Sequence, residues 1–353
     1  MVSASDALLK VFDLQSQWCA DLGSPFSAAL LQRASESARA GGPVATLLDP
    51  WREVSFDQVR DEAVALRFLG ALHALVLGGQ EPALAAEYPA GGSGDAVQAW
   101  RVAESLLERR HDAIAAFMTH EPQTNEVRRS ICLIGGFLQA AAENGLPLRC
   151  FELGASAGLN QLWDGYHYQL GPTAWGDPLS PLHIDTDWRG APPAIDAKVE
   201  VIERRACDRR PIDLGSPDER LRLRAYIWAD QRDRLQRLDT AIAMALDRHV
   251  TVETDDAAVW VLKSGPRPGA TTVLYHSVFW QYVPATGQAA MSGAIESHGA
   301  AATPDGPFVW LRMEPVGAGF EVRSTTWPGG TTRTLAEVHP HGAWVKWLSA
   351  PLR

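Results

Sequence analysis

Apolar residues recur at helical spacing through the first 145 positions. Residues 6–20 place Leu8, Leu9, Val11 and Phe12 in a helical period. A second helix is expected over 27–40, after the break Gly23-Ser24-Pro25. A long one is expected over 57–77, closed by Gly78-Gly79. The pattern continues over 95–118, and Glu121-Pro122 interrupts it. Thr124 then suits the cap of a helix that runs through Ile131 to Ala142 and stops at Asn144-Gly145. No strand period precedes residue 147 and no internal repeat is present, so residues 1–145 are expected to form an all-helical N-terminal lobe.

The period changes at Leu146. Residues 148–153 are a short apolar run that meets Gly154, and a new helical pattern follows, which is the signature of strand, tight turn and helix. Residues 166–198 are dense in Gly, Pro, Trp and Asp, so about 160–198 reads as an ordered insertion without regular elements. Further strands are expected at 199–206, 250–253, 272–278 and 308–313. Ser216-Pro217-Asp218-Glu219 carries a cap, a first-turn proline and a capping-box acid, opening a helix to about residue 247. A small-residue helix is expected over 286–302. Residues 320–326, the turn Trp327-Pro328-Gly329-Gly330 and residues 331–347 form a terminal antiparallel hairpin. Strands alternating with helices imply a parallel sheet covered on both faces. The fold expected for 146–353 is therefore α/β: a Rossmann-like, mostly parallel seven-stranded sheet with a C-terminal antiparallel hairpin.

Composition narrows the class. The 353 residues are 46% hydrophobic and 21% charged, ordinary for a globular chain and long enough for two lobes. A mean hydropathy of −0.13 and the lack of a long uncharged apolar run speak against a bilayer span. Residues 1–12 carry acidic Asp6 and no basic stretch, unlike a secretory signal. Cys19, Cys132, Cys150 and Cys207 lie far apart with no C-x-x-C pair, which points to a reducing cytoplasm rather than a disulfide framework or zinc knuckle. A net charge of −10 removes the attraction nucleic-acid binders need, so the expected partner is a small molecule and not a membrane or nucleic acid.

The sharpest local feature is Phe151-Glu152-Leu153-Gly154-Ala155-Ser156-Ala157-Gly158-Leu159-Asn160. Read as G-x-S-x-G it is a nucleophile elbow, with Ser156 attacking and a later histidine, His276 or His339, as base. Read as E-x-G-x-S-x-G it is a nucleotide loop whose small residues admit a ligand to the backbone. A third reading is a strand-to-helix turn needing small residues for packing. An elbow normally follows several strands, whereas this strand is the first in the chain. Glu152, buried at a strand end, needs a partner, and the ammonium of a methionine-bearing cofactor supplies one.

The chain resembles the bacterial domain of unknown function 2332 family. The resemblance is carried by E-L-G-A-S-A-G-L-N at 152–160, W-G-D-P at 175–178, H-S-V-F-W-Q-Y at 276–282, W-L-R-M-E-P at 310–315 and W-P-G-G at 327–330. These motifs span most of the chain but imply no activity. The C-terminal half in turn resembles class I S-adenosylmethionine-dependent methyltransferases. That second resemblance implies S-adenosylmethionine as cofactor, held by Glu152, Gly154, Ser156 and Gly158. It implies Asp208 at the ribose hydroxyls, although the spacing from Gly158 is long. It implies Asp256, in Thr254-Asp255-Asp256-Ala257, at the adenine amino group.

In such a sheet ligands lie at the carboxyl ends of the strands. The fourth strand would end at His276-Ser277-Val278-Phe279-Trp280-Gln281-Tyr282, where His276 suits a base and Tyr282 a second catalytic group. Trp280 and Gln281 would wall the substrate, joined by Asn160 and by Asn125 and Glu126, with the helical lobe and residues 160–198 enclosing it. For the histidine and the aromatics, capping and core packing are equal alternatives. His183, Asp185 and Asp187 alternate onto one strand face, as do metal ligands, but without further ligands a polar surface is favoured and no metal is expected. His339-Pro340-His341 takes the same reading. Arg204, Arg205, Arg209 and Arg210 suit an anion but are better read as balancing nearby carboxylates. Methyl transfer to an unknown small molecule is thus the leading expectation. A non-catalytic binder with a degenerate pocket and a serine hydrolase are its alternatives.

Overall fold

The computed structural model describes residues 4–349. Helices α1 (Asp6–Asp21), α2 (Pro25–Arg39), α3 (Pro43–Leu47), α4 (Phe56–Asp61), α5 (Val64–Leu77), α6 (Pro82–Ala85), α7 (Ala96–Arg109) and α8 (His111–Met118) come first. They are followed by α9 (Ser130–Asn144), α10 (Pro217–Ala225), α11 (Arg232–Asp247), α12 (Ala257–Trp260) and α13 (Ala285–Ala301). The strands are β1 (Leu148–Leu153), β2 (His167–Leu170), β3 (Thr173–Trp175), β4 (His183–Arg189), β5 (Val201–Asp208) and β6 (Glu253–Thr254). Then come β7 (Thr271–Ser277), β8 (Phe308–Val316), β9 (Gly319–Trp327), β10 (Thr331–Val338) and β11 (Trp344–Trp347).

Two compact units result, and neither is one contiguous segment. Residues 1–124 and 215–239 form the first; residues 125–214 and 240–353 form the second. The first is helical, as expected from its periodicity, around a core that includes Leu8, Phe12, Leu31, Phe68, Leu72 and Leu106. The long helices expected over 57–77 and 95–118 are each broken. Ala63 takes a left-handed φ of 52° between α4 and α5, and Arg110 separates α7 from α8. The apolar period runs on across both breaks, and neither residue is a breaker by type, so the pattern gave no warning. The helix expected from Ser216 to 247 is likewise two, α10 and α11, although Ser216 does cap the first by accepting from the Glu219 N–H.

Within this unit, Asp230 ties the segment after α10 to the start of α2. Its carboxylate accepts from the Phe26 N–H at 3.0 Å, from Ser27 Oγ at 3.1 Å and from Ser24 Oγ. A carboxylate on the exposed donors of a helix N-terminus is favoured both by hydrogen bonding and by the dipole. Asp230→Ala is expected to cost about 2 kcal/mol, read as a fall in the urea midpoint. An unchanged midpoint would show that water replaces the carboxylate without loss.

The second unit is α/β, built on a mixed sheet of eleven strands rather than seven, in the order β3-β2-β4-β11-β10-β9-β8-β7-β1-β5-β6. Strands β6, β5, β1, β7 and β8 are mutually parallel. From β8 to β11 successive strands are antiparallel, so the expected terminal hairpin is a three-stranded run that meets β8 directly. The sheet then extends through β4 and β2, which run parallel to β11 and to each other, to β3. Residues 166–198 are therefore not an irregular insertion. Their dense turn residues bound the seven-residue β4 and the strands β2 and β3, of four and three residues, which are too short to register a period, with Tyr168 and Leu170 of β2 pointing into the core. The strand expected over 250–253 is reduced to the two residues of β6.

Helix α9 covers one face of the sheet, and its Gly135-Gly136 pair sets how closely. A Cβ at Gly136 would sit 2.3 Å from Leu311, and one at Gly135 would sit 2.4 Å from the Trp347 ring. α9 begins six residues after Thr124, and the preceding turn is capped by Glu126, whose carboxylate accepts from the Arg128 N–H. Glu126 thus holds the place expected of Thr124. On the other side Phe151, Leu153, Leu274 and Phe308 pack with Trp260, Met291 and Ile295. All four cysteines are free and buried, and no helix among the described residues is long and apolar enough to cross a membrane.

Candidate functional site

In the sheet β1 pairs with β5, followed by β6, on one side and with β7, followed by β8, on the other, so β1 and β7 flank the point where strand order reverses. Two motifs singled out above end there: the glycine turn after β1 and His276-Ser277-Val278-Phe279-Trp280 after β7. Each contains a non-glycine residue with left-handed backbone, Ser156 at φ 55° and Val278 at φ 52°. For β-branched Val278 that conformation is strained, and such strain is held only where surrounding contacts enforce it.

Glu152, near the end of β1, is 4% exposed. Among the described residues its carboxyl has one hydrogen-bonding partner, Tyr275 Oη of β7 at 3.2 Å. Burial pushes this carboxyl up to about 8, against the lowering hydrogen bond from Tyr275, with Asp208 adding like charge. Gly154 follows at φ 66°, and its missing Cβ leaves room for the Phe279 ring, which would lie 2.2 Å from it. Ser156 presents a buried Oγ without a hydrogen bond, and Asn160 a buried Oδ1 in the same state. The turn does not open an α-helix as expected. Leu159–Gly165 is two short 3-10 turns joined across a kink at Leu162 (φ −90°, ψ 15°), so no α-helix N-terminus follows the glycine turn.

Asn125 and Glu126 do reach this turn. Asn125 Oδ1 accepts from the Leu159 N–H at 2.9 Å, and Asn160 Nδ2 donates to the Glu126 carbonyl at 3.5 Å. Asp208, at the end of β5, spends both carboxylate oxygens on backbone: one accepts from Ser156 N–H and one from Arg210 N–H, each at 2.9 Å. It shapes the glycine turn from below. Asp256 stands apart, exposed, with its carboxylate capping α12 through the Ala258 N–H.

His276 is fully buried, with both ring nitrogens engaged. Trp310 Nε1–H donates to Nε2 at 3.1 Å, so Nδ1 carries the proton and donates to Glu314 Oε1 at 2.6 Å. The same Glu314 oxygen accepts from the Phe279 and Trp280 N–H groups at 2.9 and 3.1 Å. Burial alone would raise Glu314. The His276 hydrogen bond and the two backbone donors outweigh it and hold the carboxyl below the usual range. His276 also stacks on Trp280, with centroids 5.5 Å apart at 18°. In this arrangement the histidine holds the loop that lays Phe279 on Gly154. Gln281 is exposed and Tyr282 is 73% exposed, both outside this network.

Tyr275, Phe279 and Glu314 escaped the sequence reading. A signal existed for Glu314, since alternation along β8 puts Trp310, Arg312 and Glu314 on one face. His183, Asp185 and Asp187 do share the exposed face of β4, where Asp185 pairs with Arg128 and Asp187 with Arg189. No group of three metal-ligating side chains occurs among the described residues. Arg204 pairs with Asp164 and Arg205 with Glu253.

Fold and site together define an α/β protein whose polar cluster sits at the switch point of a large mixed sheet. The chain belongs to the family described as uncharacterized protein conserved in bacteria (DUF2332), whose pattern it matches over residues 10–347. No curated protein and no solved structure matches it.

Proposed function

We propose that this protein binds S-adenosylmethionine at the carboxyl ends of β1 and β7 and transfers a methyl group to a small molecule. The observation that carries the reading is Glu152: a buried carboxyl two residues before a glycine turn, at the switch point, with a single neutral hydrogen-bond partner. A cationic ligand group there supplies the counter-charge that the protein withholds. Ser156 Oγ and Asn160 Oδ1, both buried without partners, add polar atoms able to take a ligand's hydroxyl or amine. When bound, the cofactor supplies an electrophilic methyl carried on a sulfonium.

The chain's own contribution is binding, alignment and exclusion of water. Glu152 holds the ammonium. Asp208 fixes the turn through the Ser156 N–H. His276 and Glu314 position Phe279 and Trp280. For His276 to take a proton from an acceptor, Trp310 must first release Nε2; as placed, it is a positioning residue. That engagement favours one second reading, a binding protein that does not turn over.

Calorimetric titration with S-adenosylmethionine and S-adenosylhomocysteine tests the reading. Micromolar binding is expected, weakened at least tenfold in Glu152→Gln, which keeps the shape of the side chain and removes its charge. Absence of binding by folded protein defeats the proposal. It would turn attention to Ser156, whose strained backbone suits a nucleophile and whose labelling by a fluorophosphonate would mark a hydrolase.

A further inference from the structure

The face of β8 that carries Glu314 also carries an uncompensated cation. Arg312 is half-buried, and its guanidinium lies over the Trp310 ring with Cζ 3.9 Å from the centroid. Its hydrogen bonds all leave from Nη1, to the Trp310 carbonyl at 3.3 Å and to Thr325 Oγ1 at 3.0 Å. Among the described residues no carboxylate pairs with it, and Nε and Nη2 keep their N–H groups unused. The cross-strand neighbour on β9 is Arg323, another cation, which is itself paired with Glu321. Glu314, two residues along the same face, is committed to His276 and the Phe279-Trp280 backbone. Burial together with Arg323 pulls the Arg312 guanidinium down to about 10, still charged near neutrality.

A half-buried guanidinium without a counter-charge is costly, and stacking on an indole offsets only part of that cost. Its free edge is planar and presents parallel N–H groups, the geometry that a carboxylate fills with two hydrogen bonds. Beside it stand two half-buried indoles, Trp280 and Trp310, with centroids 5.4 Å apart at 49°. In register, Arg312 lies opposite His276, so this corner adjoins the end of β7.

We propose that Arg312, Trp280 and Trp310 form the acceptor subsite and that it takes a small aromatic carboxylate, the acid on Arg312 and the ring against the indoles. That this ligand is the methyl acceptor rests on the methyl-transfer reading; that it binds does not.

Calorimetric titration of the full chain with 2-naphthoate and with neutral 2-naphthamide, without cofactor, tests the subsite. Saturable binding of the acid is expected, at least tenfold tighter than the amide and weakened by added salt. Arg312→Gln should bring the acid down to the amide, and Arg312→Lys, which keeps the charge but loses the fork, should fall between. Equal binding of acid and amide, or no binding of either, overturns the proposal on the unaltered protein without need of a variant. An acid preference that survives in folded Arg312→Gln also overturns it, leaving Arg312 a structural stack on Trp310. Naphthoate binding without S-adenosylmethionine binding keeps the subsite and removes methyl transfer; the converse removes the subsite alone.

Discussion

Glu152→Gln is expected to make the protein more stable than the native sequence at pH 8, and no different near pH 4.5. In the folded chain burial holds this carboxyl protonated up to about 8, whereas its ordinary value is 4.5. Between those values the unfolded state has released a proton that the folded state keeps, so native stability declines as pH rises through this window. The full contribution is present below about 4.5 and is lost as pH climbs to about 8. The slope for one such group is about 1.4 kcal/mol per pH unit, which sums to several kcal/mol across the window. Glutamine keeps the shape, still meets Tyr275 Oη and has no proton to lose. Urea unfolding of both proteins at pH 5, 6, 7 and 8 reads the effect as a widening gap in stability. Other titrating groups are common to both chains and cancel. Curves that stay parallel would place Glu152 among ordinary ionised carboxylates and weaken its assignment as the cation-binding group. Because the variant is the more stable protein at pH 8, loss of cofactor binding there cannot be ascribed to unfolding.

The second large effect is expected at Gly154. Its φ of 66° disfavours any side chain, and a Cβ there would approach the Phe279 ring to 2.2 Å. Gly154→Ala must therefore both strain the turn and push Phe279 off it, which strips the Phe279 and Trp280 N–H bonds from Glu314 and leaves that carboxylate underpaired. A left-handed alanine costs about 1–2 kcal/mol, and displacement of a packed ring adds about 1–3 kcal/mol. Gly145 provides the control, since it has φ 64° and nothing within 4 Å of an added Cβ. Gly145→Ala carries the backbone cost alone, so the difference between the two variants isolates the Phe279 contact. Equal losses in guanidinium unfolding would mean that Phe279 moves freely and does not seal the turn. A larger loss at Gly154 with altered tryptophan fluorescence would show Trp280 moving with it.

What was legible in the chain followed from local physics. The change from helical to strand period near residue 147, the strand-turn at Glu152–Gly158, the capping signature at Ser216 and the alternation of β4 all depend on neighbours a few residues apart. The helix breaks at Ala63 and Arg110 were not legible, because tertiary contacts can bend a chain at residues that carry no breaking chemistry. Short strands β2 and β3 were hidden for a related reason: three or four residues do not establish a period, and pairing with partners far along the chain makes them strands.

The same division runs through the site. By itself the sequence determined that a glycine turn with an acid two residues ahead follows the first strand, that Asn125, Asn160 and His276 are candidates, and that the chain is acidic and α/β. Only the tertiary structure decided which candidates meet. It brought Asn125, Glu126 and Asn160 to the glycine turn, left Asp256 and Tyr282 exposed, and turned Asp208 onto backbone amides. It also paired His276 with Glu314 and Trp310 across strands, which fixes the tautomer and places a histidine that reads equally as a base or as a strand cap in the network that holds the Phe279-Trp280 loop. A residue's chemistry is local, but its protonation state and its role depend on burial and on partners brought in from 34 to 123 positions away in the chain, and only folding sets those.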